Sequence, residues 1–136
     1  MFGKQKKLTD QQQKKVNDTF ESFSNKKYSK KDISKVFKNE HTIKGKMENR
    51  FLKGFLDEVQ IFFQMLKDYF KKRYTNVPVG TIIAIIGTLL YVLSPFDVIP
   101  DFIPFAGYLD DAGILSICLK CVKYDLEKYK EWRENT

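Results

Sequence analysis

The sequence predicts an all-α protein of about five helices, arranged as a compact bundle around an apolar central helix at residues 79–93. Three observations lead to this prediction. Apolar residues recur at steps of three and four along most of the 136-residue chain, which is the spacing of one helix face. Residues 79–93 are apolar nearly all round and therefore have to be buried. Apolar and polar residues do not alternate over the length of a strand, and the sequence has no hairpin turn pair.

Two helices are predicted in the first forty residues, each starting at a capping box. Thr9 with Gln12, and then Ser29 with Asp32, have the three-residue spacing at which side chain and backbone cap each other. The apolar faces of these two helices are formed by Val16, Phe20 and Phe23, and by Ile33, Val36 and Phe37. Residues 41–46 are polar and include a glycine, so we expect a joint between helices there.

A third helix of over twenty residues is expected next. Its apolar stripe starts at Met47 and reaches Phe70, while polar residues occupy the opposite face. The cations at residues 71–73 follow it, where they suit the negative end of a helix. Pro78 stands near the first position of the central helix. The last helix is expected to begin near Asp110, after a turn segment rich in proline and aspartate.

The net charge of +7 lies entirely in the first third of the chain. Residues 1–49 hold 13 lysines and six acids, whereas basic and acidic side chains balance at 11 each in residues 50–136. We therefore divide the chain into a basic N-terminal helical extension, 1–49, and a helical domain, 50–136, packed as one compact unit. Such asymmetry indicates either an anionic partner or a well-solvated helical surface. The candidate contacts to an anionic surface are Lys4, Lys6, Lys7, Lys14, Lys15, Lys26, Lys27, Lys30 and Lys31.

The stretch from residue 74 to residue 96 carries no charge over 23 residues. That length meets the usual criterion for a membrane-spanning helix. Pro78 and Pro95 leave 16 residues between them, however, which reach about 24 Å against a hydrocarbon layer of about 30 Å. We therefore favour a central helix wrapped by the amphipathic helices. A re-entrant hairpin and peripheral attachment through the basic N-terminal third stay open.

Residues 94–111 concentrate three of the four prolines and four acids in otherwise apolar sequence. Acids in such surroundings are costly unless they are capped, paired or bound to a cation. One interpretation is structural: a helix start, a set of turns and an acidic cap for the last helix, built on Ser94, Pro95, Pro100, Pro104 and Gly107. The other is a metal site for Mg²⁺, Mn²⁺ or Ca²⁺, formed by Asp97, Asp101, Asp110 and Asp111. The sequence leaves both interpretations open.

The two cysteines do not indicate a zinc site. Cys118 and Cys121 have C-x-x-C spacing, but the sequence has no second cysteine pair, and the single histidine, His41, is far away in the chain. On a helix the two cysteines share a face, and we expect them to be small core residues in a reducing compartment. Residues 1–15 are polar and lack the apolar segment of a secretory signal, so a cytoplasmic location is expected.

The segment 89–104, which reads LLYVLSPFDVIPDFIP, closely resembles the YkvA-like family of bacterial proteins. The shared signature is a leucine-rich run ending in tyrosine, then Pro-x-Asp-x-Ile-Pro-Asp-x-Ile-Pro, followed by Gly107 and the pair Asp110-Asp111. The resemblance covers about residues 50–130. It implies an all-helical domain, often predicted to be membrane-associated, and it implies no reaction.

These observations favour a non-enzymatic helical module that acts at or near the cytoplasmic face of a membrane. One alternative is a protein-binding immunity or regulatory protein, which the small size and the lopsided charge fit. Another is a divalent-cation-binding protein or a metal-dependent enzyme that uses the four aspartates of residues 94–111; otherwise we expect no cofactor. Nucleic acid is a weaker candidate partner because the aromatic residues fall on core stripes rather than among the lysines. The sequence does not indicate an oligomeric state.

Overall fold

Six α-helices make up most of the described chain. The structure is a computed structural model, and it describes residues 9–49, 52–94 and 111–136. Within these ranges there is no strand, so the all-α prediction is confirmed, with one helix more than expected. A 3-10 turn at Lys53–Phe55 precedes the fourth helix. The helices are α1 (Asp10–Ser24), α2 (Lys30–Lys38), α3 (Glu40–Lys46), α4 (Leu56–Phe70), α5 (Val79–Leu93) and α6 (Asp111–Glu134).

Helices α1 and α2 begin at the predicted capping boxes. The amide of Gln12 donates to Thr9 Oγ1 at 3.1 Å, and the amide of Thr9 donates to Gln12 Oε1 at 3.0 Å. Ser29 and Asp32 exchange the same two hydrogen bonds, each 3.1 Å long. The local sequence therefore defines the start of both helices, since each box satisfies two amides that have no partner inside the helix.

The polar stretch that the sequence predicts as a joint is a helix, α3, so that prediction was wrong. Asn39 ends α2 and precedes α3, and its side-chain amide donates to the carbonyl of Lys35 at 2.8 Å. Ile43 is fully buried, and Lys44 pairs with Glu40 one turn earlier at 2.6 Å. A seven-residue helix of this kind is stabilised by tertiary packing, which a periodicity search over so short a stretch does not detect.

The predicted long third helix is also divided, because α4 covers only the second half of its apolar stripe. Met47 caps the end of α3, and the 3-10 turn at Lys53–Phe55 separates it from α4. Both Met47 and Phe55 are fully buried in the same core. The apolar spacing thus continues across the break, which explains why the sequence suggests one continuous helix. The end of α4 at Phe70 agrees with the prediction.

Helix α5 is the central helix, and it has the predicted bounds. Eleven of its fifteen residues are buried, and it contacts α1, α2, α3 and α6. Pro78 precedes it in an extended conformation, and Ser94 follows it. None of the helices in the described ranges combines the length and the apolar character needed to cross a membrane.

Helix α1 joins the same core as α5. The ring of Phe23 stacks on Tyr91 of α5 at 5.5 Å between centroids, and Phe20 meets Phe23 edge-on at the same distance. Apolar contacts therefore connect residues 1–49 with residues 50–136. The division of the chain into an extension and a domain at residue 49 stays a prediction.

Helices α5 and α6 lie antiparallel. Thr81, in the first turn of α5, donates to Asp125 Oδ2 in the second half of α6 at 2.5 Å. Three residues further along α5, the carbonyl of Ala84 accepts from the buried thiol of Cys118, 3.9 Å away and earlier in α6. The start of α5 and the second half of α6 are therefore at the same end of the bundle.

Candidate functional site

The predicted carboxylate site lies almost entirely outside the described residues. Asp97, Asp101 and Asp110 fall in residues 95–110, and so do Pro95, Pro100, Pro104 and Gly107 of the predicted turn motif. Asp111 is half-buried in the first turn of α6. In the part of the chain that the structure describes, no three His, Cys, Asp or Glu side chains form a group that could hold a metal ion. A divalent cation at the four aspartates stays a prediction without support from the described residues.

Ser94 occupies the end of α5. Its amide donates to the carbonyl of Leu90 at 2.7 Å, and its backbone is extended, with φ of −161° and ψ of 96°. The other residues of the helix start predicted at 94–97, namely 95–97, lie outside the described residues.

The candidate lysines of the N-terminal third are on the surface where they can be described. Lys4, Lys6 and Lys7 are outside the described residues. Lys15 and Lys26 are half-buried, and four side chains are exposed: Lys14, Lys27, Lys30 and Lys31. Of these four, Lys14 forms an ion pair with Asp18 at 3.0 Å, one turn later in α1. Of the other three, Lys27 lies within the short connection between α1 and α2, and Lys30 and Lys31 are the first residues of α2, so positive charge is concentrated there.

The sequence analysis missed a buried carboxylate at the end of α4. Asp68 is 6% exposed, and the hydroxyl of Tyr129 in α6 donates to its Oδ2 at 2.5 Å. Arg73 Nε donates to its Oδ1 at 2.8 Å, and Arg133 Nη1 lies 3.7 Å from Oδ2. Both carboxylate oxygens therefore have charged or hydroxyl partners. A sequence signal was present, since Asp68 follows the apolar Met65 by three residues and so shares its face of the helix.

The hydrogen bond between Asp68 and Tyr129 affects the pKa of both groups. Burial acts to raise the pKa of the Asp68 carboxyl, but the hydrogen bonds from Tyr129 and Arg73 and the two guanidinium charges outweigh it, so the pKa lies below its usual value. Burial and the carboxylate together raise the pKa of Tyr129 to about 12. The proton therefore stays on the tyrosine, and the aspartate stays ionised at neutral pH.

The backbone of Asp68 also fixes the connection between α4 and α5. Its carbonyl accepts the amides of Arg73 and Tyr74, at 2.8 and 3.2 Å. Lys72 takes a left-handed conformation here, with φ of 62°, which lets the chain leave the helix. The ring of Tyr74 then packs against both Tyr129, at 5.1 Å between centroids, and Trp132, at 4.9 Å, which also stack on each other. The end of α4, the connection and α6 are thus held together, and both carboxylate oxygens of Asp68 are engaged, so the arrangement is a tether rather than a reactive site.

Two open grooves follow the line between α4 and α6. Their volumes are about 540 and 370 Å³, and Glu58 and Lys130 line both. Neither lining includes a histidine or a cysteine, and each mixes acids with lysines. Such a lining is typical of a solvated surface and gives no nucleophile paired with a histidine base.

Comparison with known proteins identifies the family. The family model described as a protein of unknown function, DUF1232, matches residues 81–117. A protein of Bacillus subtilis (strain 168) named "Uncharacterized membrane protein YkvA" is 35% identical over 88 residues, which cover 65% of this chain and 81% of that relative. The chain belongs to the YkvA-like family. No solved structure matches it.

The DUF1232 model covers α5 from Thr81 onward, the residues that follow it, and the first turns of α6. Family membership brings no reaction with it, because the matching model describes a protein of unknown function.

Besides the packing of α1 on α5, a pair of hydrogen bonds from α3 reaches this YkvA-like region. Lys46, the last residue of α3, donates through Nζ to the carbonyls of Val92 and Leu93, at 2.8 and 3.0 Å. These are carbonyls of the last turn of α5, which have no partner within the helix. The lysine charge also suits the negative end of the helix. Residues 1–49 therefore help to fix the end of α5 from which the signature segment departs.

Proposed function

We propose that this YkvA-like protein is a non-enzymatic helical module that binds peripherally to the anionic, cytoplasmic face of a membrane. The observation that carries the proposal is the cluster of exposed lysines around the α1–α2 connection, Lys27, Lys30 and Lys31, in a chain whose whole net charge lies in residues 1–49. The name of the Bacillus subtilis relative, a membrane protein, supports the same location.

The charge of this cluster is sufficient for weak, reversible binding. A lysine close to an anionic membrane surface contributes about 1 kcal/mol, and the attraction extends over about a Debye length, roughly 8–10 Å at physiological salt. Lys27, Lys30 and Lys31 are close enough in the chain to meet one surface together. Binding that depends on such a cluster should weaken strongly as salt increases.

Co-sedimentation of the full chain with vesicles tests the proposal. We expect binding to vesicles that contain phosphatidylglycerol, little binding to pure phosphatidylcholine, and release when salt is raised from about 0.05 M to about 0.5 M. Replacing Lys27, Lys30 and Lys31 by glutamine should weaken the binding. The matched control replaces three exposed lysines of α6, Lys120, Lys123 and Lys130, which removes the same charge elsewhere. Equal loss in both variants, or no binding by the unaltered protein, would contradict the proposal.

A further inference from the structure

The side of α2 that faces away from the protein is formed by lysine side chains. Seven residues make almost two full turns of a helix, so Lys31 and Lys38 lie on the same side of α2, about 10 Å apart along its axis. Lys35 lies between them, one turn from each. Lys31 and Lys38 are exposed, and Lys35 is half-buried. We name these three lysines the outer face of α2.

The opposite side of α2 is packed into the core, which fixes the direction of the outer face. Val36 is fully buried, and Ile33 and Phe37 pack against the same core. The ring of Phe37 contacts Phe63 and Phe70 of α4, at 6.5 and 6.1 Å between centroids. Each exposed lysine of the outer face is two positions from Ile33 or Val36, which is about 200° round the helix. The outer face is therefore directed away from the rest of the protein.

The outer face carries more positive than negative charge. Helix α2 has four lysines and one acid in nine residues, the largest excess among the helices of the described ranges. That acid, Asp32, borders the outer face, and its carboxylate accepts from the amide and the hydroxyl of Ser29 at 3.1 Å each. The next acid along the chain, Glu40, is paired with Lys44 and Lys67, at 2.6 and 2.9 Å.

The outer face continues the lysine cluster of the α1–α2 connection along the surface of α2. Residues 25–39 contain six lysines and one acid. Their charges are spread over the length of α2, about 13 Å, which suits an extended anionic surface better than a small anion. None of the large apolar side chains that are exposed in the described ranges belongs to α2. Contact through this face is therefore electrostatic.

We infer that the outer face of α2 lies flat against the anionic surface of a membrane, with its lysines among the head groups and the helix outside the acyl chains. The inference rests on the proposed membrane function and specifies which side of the protein faces the lipid. Insertion into the acyl boundary requires an apolar helix face directed at the lipid, and the apolar face of α2 is used by the core. Raised salt should therefore reverse the binding completely.

Nucleic acid is a weaker candidate for the same face. The aromatic residues of this stretch, Tyr28 and Phe37, are both half-buried, and the hydroxyl of Tyr28 donates to the carbonyl of Phe23 at 2.8 Å. Exposed rings on which bases could stack are thus missing among these lysines.

The double variant Lys35→Gln with Lys38→Gln tests the outer face separately from the three lysines of the proposed contact. A lysine near an anionic surface contributes a factor of about five in affinity, so the full chain with both changes should bind phosphatidylglycerol vesicles about tenfold more weakly at low salt. The matched control, Lys120→Gln with Lys123→Gln in α6, should change the affinity less than about twofold. The thermal midpoint checks that both variants fold.

A fluorescent label at Ser34→Cys measures how deeply α2 lies in the membrane. Ser34 follows Lys31 by three residues and precedes Lys38 by four, so the label stands beside the outer face. The labelled chain also carries Cys121→Ser, because Cys121 is exposed, whereas Cys118 is buried. Nitroxides on the lipid head groups should quench the label, and nitroxides deep in the acyl chains should not. A label on Cys121 of the otherwise unaltered chain should be quenched by neither.

The outcomes separate the inference from the proposed function. Loss of affinity in the double variant, together with quenching from the head groups alone, supports the inference. If the double variant binds like the unaltered protein, while glutamine at Lys27, Lys30 and Lys31 weakens binding, the outer face is wrong and the membrane function stands. Quenching from the acyl chains would show that α2 enters the bilayer, which contradicts the inference.

Two further outcomes would overturn both the inference and the proposed function. One is no binding of the unaltered protein to vesicles that contain phosphatidylglycerol. The other is tighter binding to a single-stranded oligonucleotide than to these vesicles at the same salt, which would assign the lysines of residues 25–39 to nucleic acid.

Discussion

Gly87 of α5 and Phe23 of α1 approach each other so closely that no Cβ atom fits between them. A Cβ placed on Gly87 would lie 2.7 Å from Phe23 Cδ1 and 3.1 Å from the Phe23 carbonyl oxygen. It would also lie 2.8 Å from the hydroxyl of Tyr28, which donates to that same carbonyl at 2.8 Å. The position of α1 against α5 therefore depends on the absence of a side chain at one residue of the central helix.

Gly87→Ala should destabilise the protein by about 1–2 kcal/mol. Overpacking a well-packed contact costs about 1–3 kcal/mol, and the better helix propensity of alanine returns about 0.5–1 kcal/mol of this. The free energy of unfolding measured by urea denaturation is the test.

Gly80→Ala is the matched control, since it makes the same substitution in the same helix. A Cβ at Gly80 meets nothing within 4 Å, so this variant should be neutral or stabilised by up to about 1 kcal/mol. If both variants changed stability alike, the close contact between α1 and α5 would not be the cause.

The example of Gly87 marks the limit of what the sequence predicts. The bounds of α5 follow from Pro78 and the apolar run, and the starts of α1 and α2 follow from their capping boxes. These are local signals. Which glycine of the apolar run meets α1 depends on how the helices cross, and the sequence pattern contains no information about that.

For the same reason, only some of the candidate functional residues could be predicted from the sequence. Exposure of the N-terminal lysines could be predicted because charged side chains rarely lie in a core. The tether at Asp68 could not, since Tyr129 is 61 residues away from Asp68 in the chain. An acid on an apolar face indicates that some partner exists, but only the packing of α6 identifies it.

Asp68→Asn should lower the free energy of unfolding by about 1–3 kcal/mol at pH 7. The variant keeps the shape of the side chain but loses hydrogen bonds to a charged acceptor and leaves Arg73 and Arg133 without their carboxylate. Asp18→Asn is the control, because Asp18 forms an exposed ion pair in α1 that is worth about 0.3–0.5 kcal/mol. A loss no larger than that of the control would contradict the assignment of Asp68 as a tether.

At acid pH, the free energy of unfolding of the unaltered protein should approach that of Asp68→Asn. The pKa of Asp68 is lower in the folded protein than in the unfolded chain, where it is about 3.9. Its stabilisation is therefore complete above about pH 4 and is lost as the pH falls from there through the folded-state pKa. Urea denaturation at several pH values between about 6 and about 2.5 measures this. A difference that stays constant over this range would show that the charge of Asp68 does not stabilise the fold.

Tyr129→Phe should show the opposite dependence on pH. The pKa of Tyr129 is raised to about 12, above its usual value of about 10. The neutral tyrosine thus stabilises the fold fully below about pH 10, and this contribution declines as the pH rises towards 12. At pH 8 the free energy of unfolding of the variant should be about 1.5–3 kcal/mol below that of the unaltered protein. This difference should become smaller above pH 10. Tyr124→Phe, an exposed tyrosine of the same helix, is the control, and a gap unchanged up to pH 12 would contradict the prediction.

Lys46→Met should weaken the end of α5 while leaving its start intact. The variant keeps the aliphatic stem of the side chain but removes the ammonium that donates to the carbonyls of Val92 and Leu93. A cation at a helix C-terminus contributes about 0.3–1 kcal/mol, so the global loss should be of that size. Hydrogen exchange gives the sharper measurement: the amide of Ser94, bonded to Leu90, should exchange faster, whereas the first turns of α5 should not change. Lys53→Met removes an exposed lysine of the 3-10 turn and is the control. It should change neither the free energy of unfolding nor the exchange rate of the Ser94 amide. Uniform acceleration along α5 would mean that Lys46 acts on the stability of the whole bundle and not on its helix end.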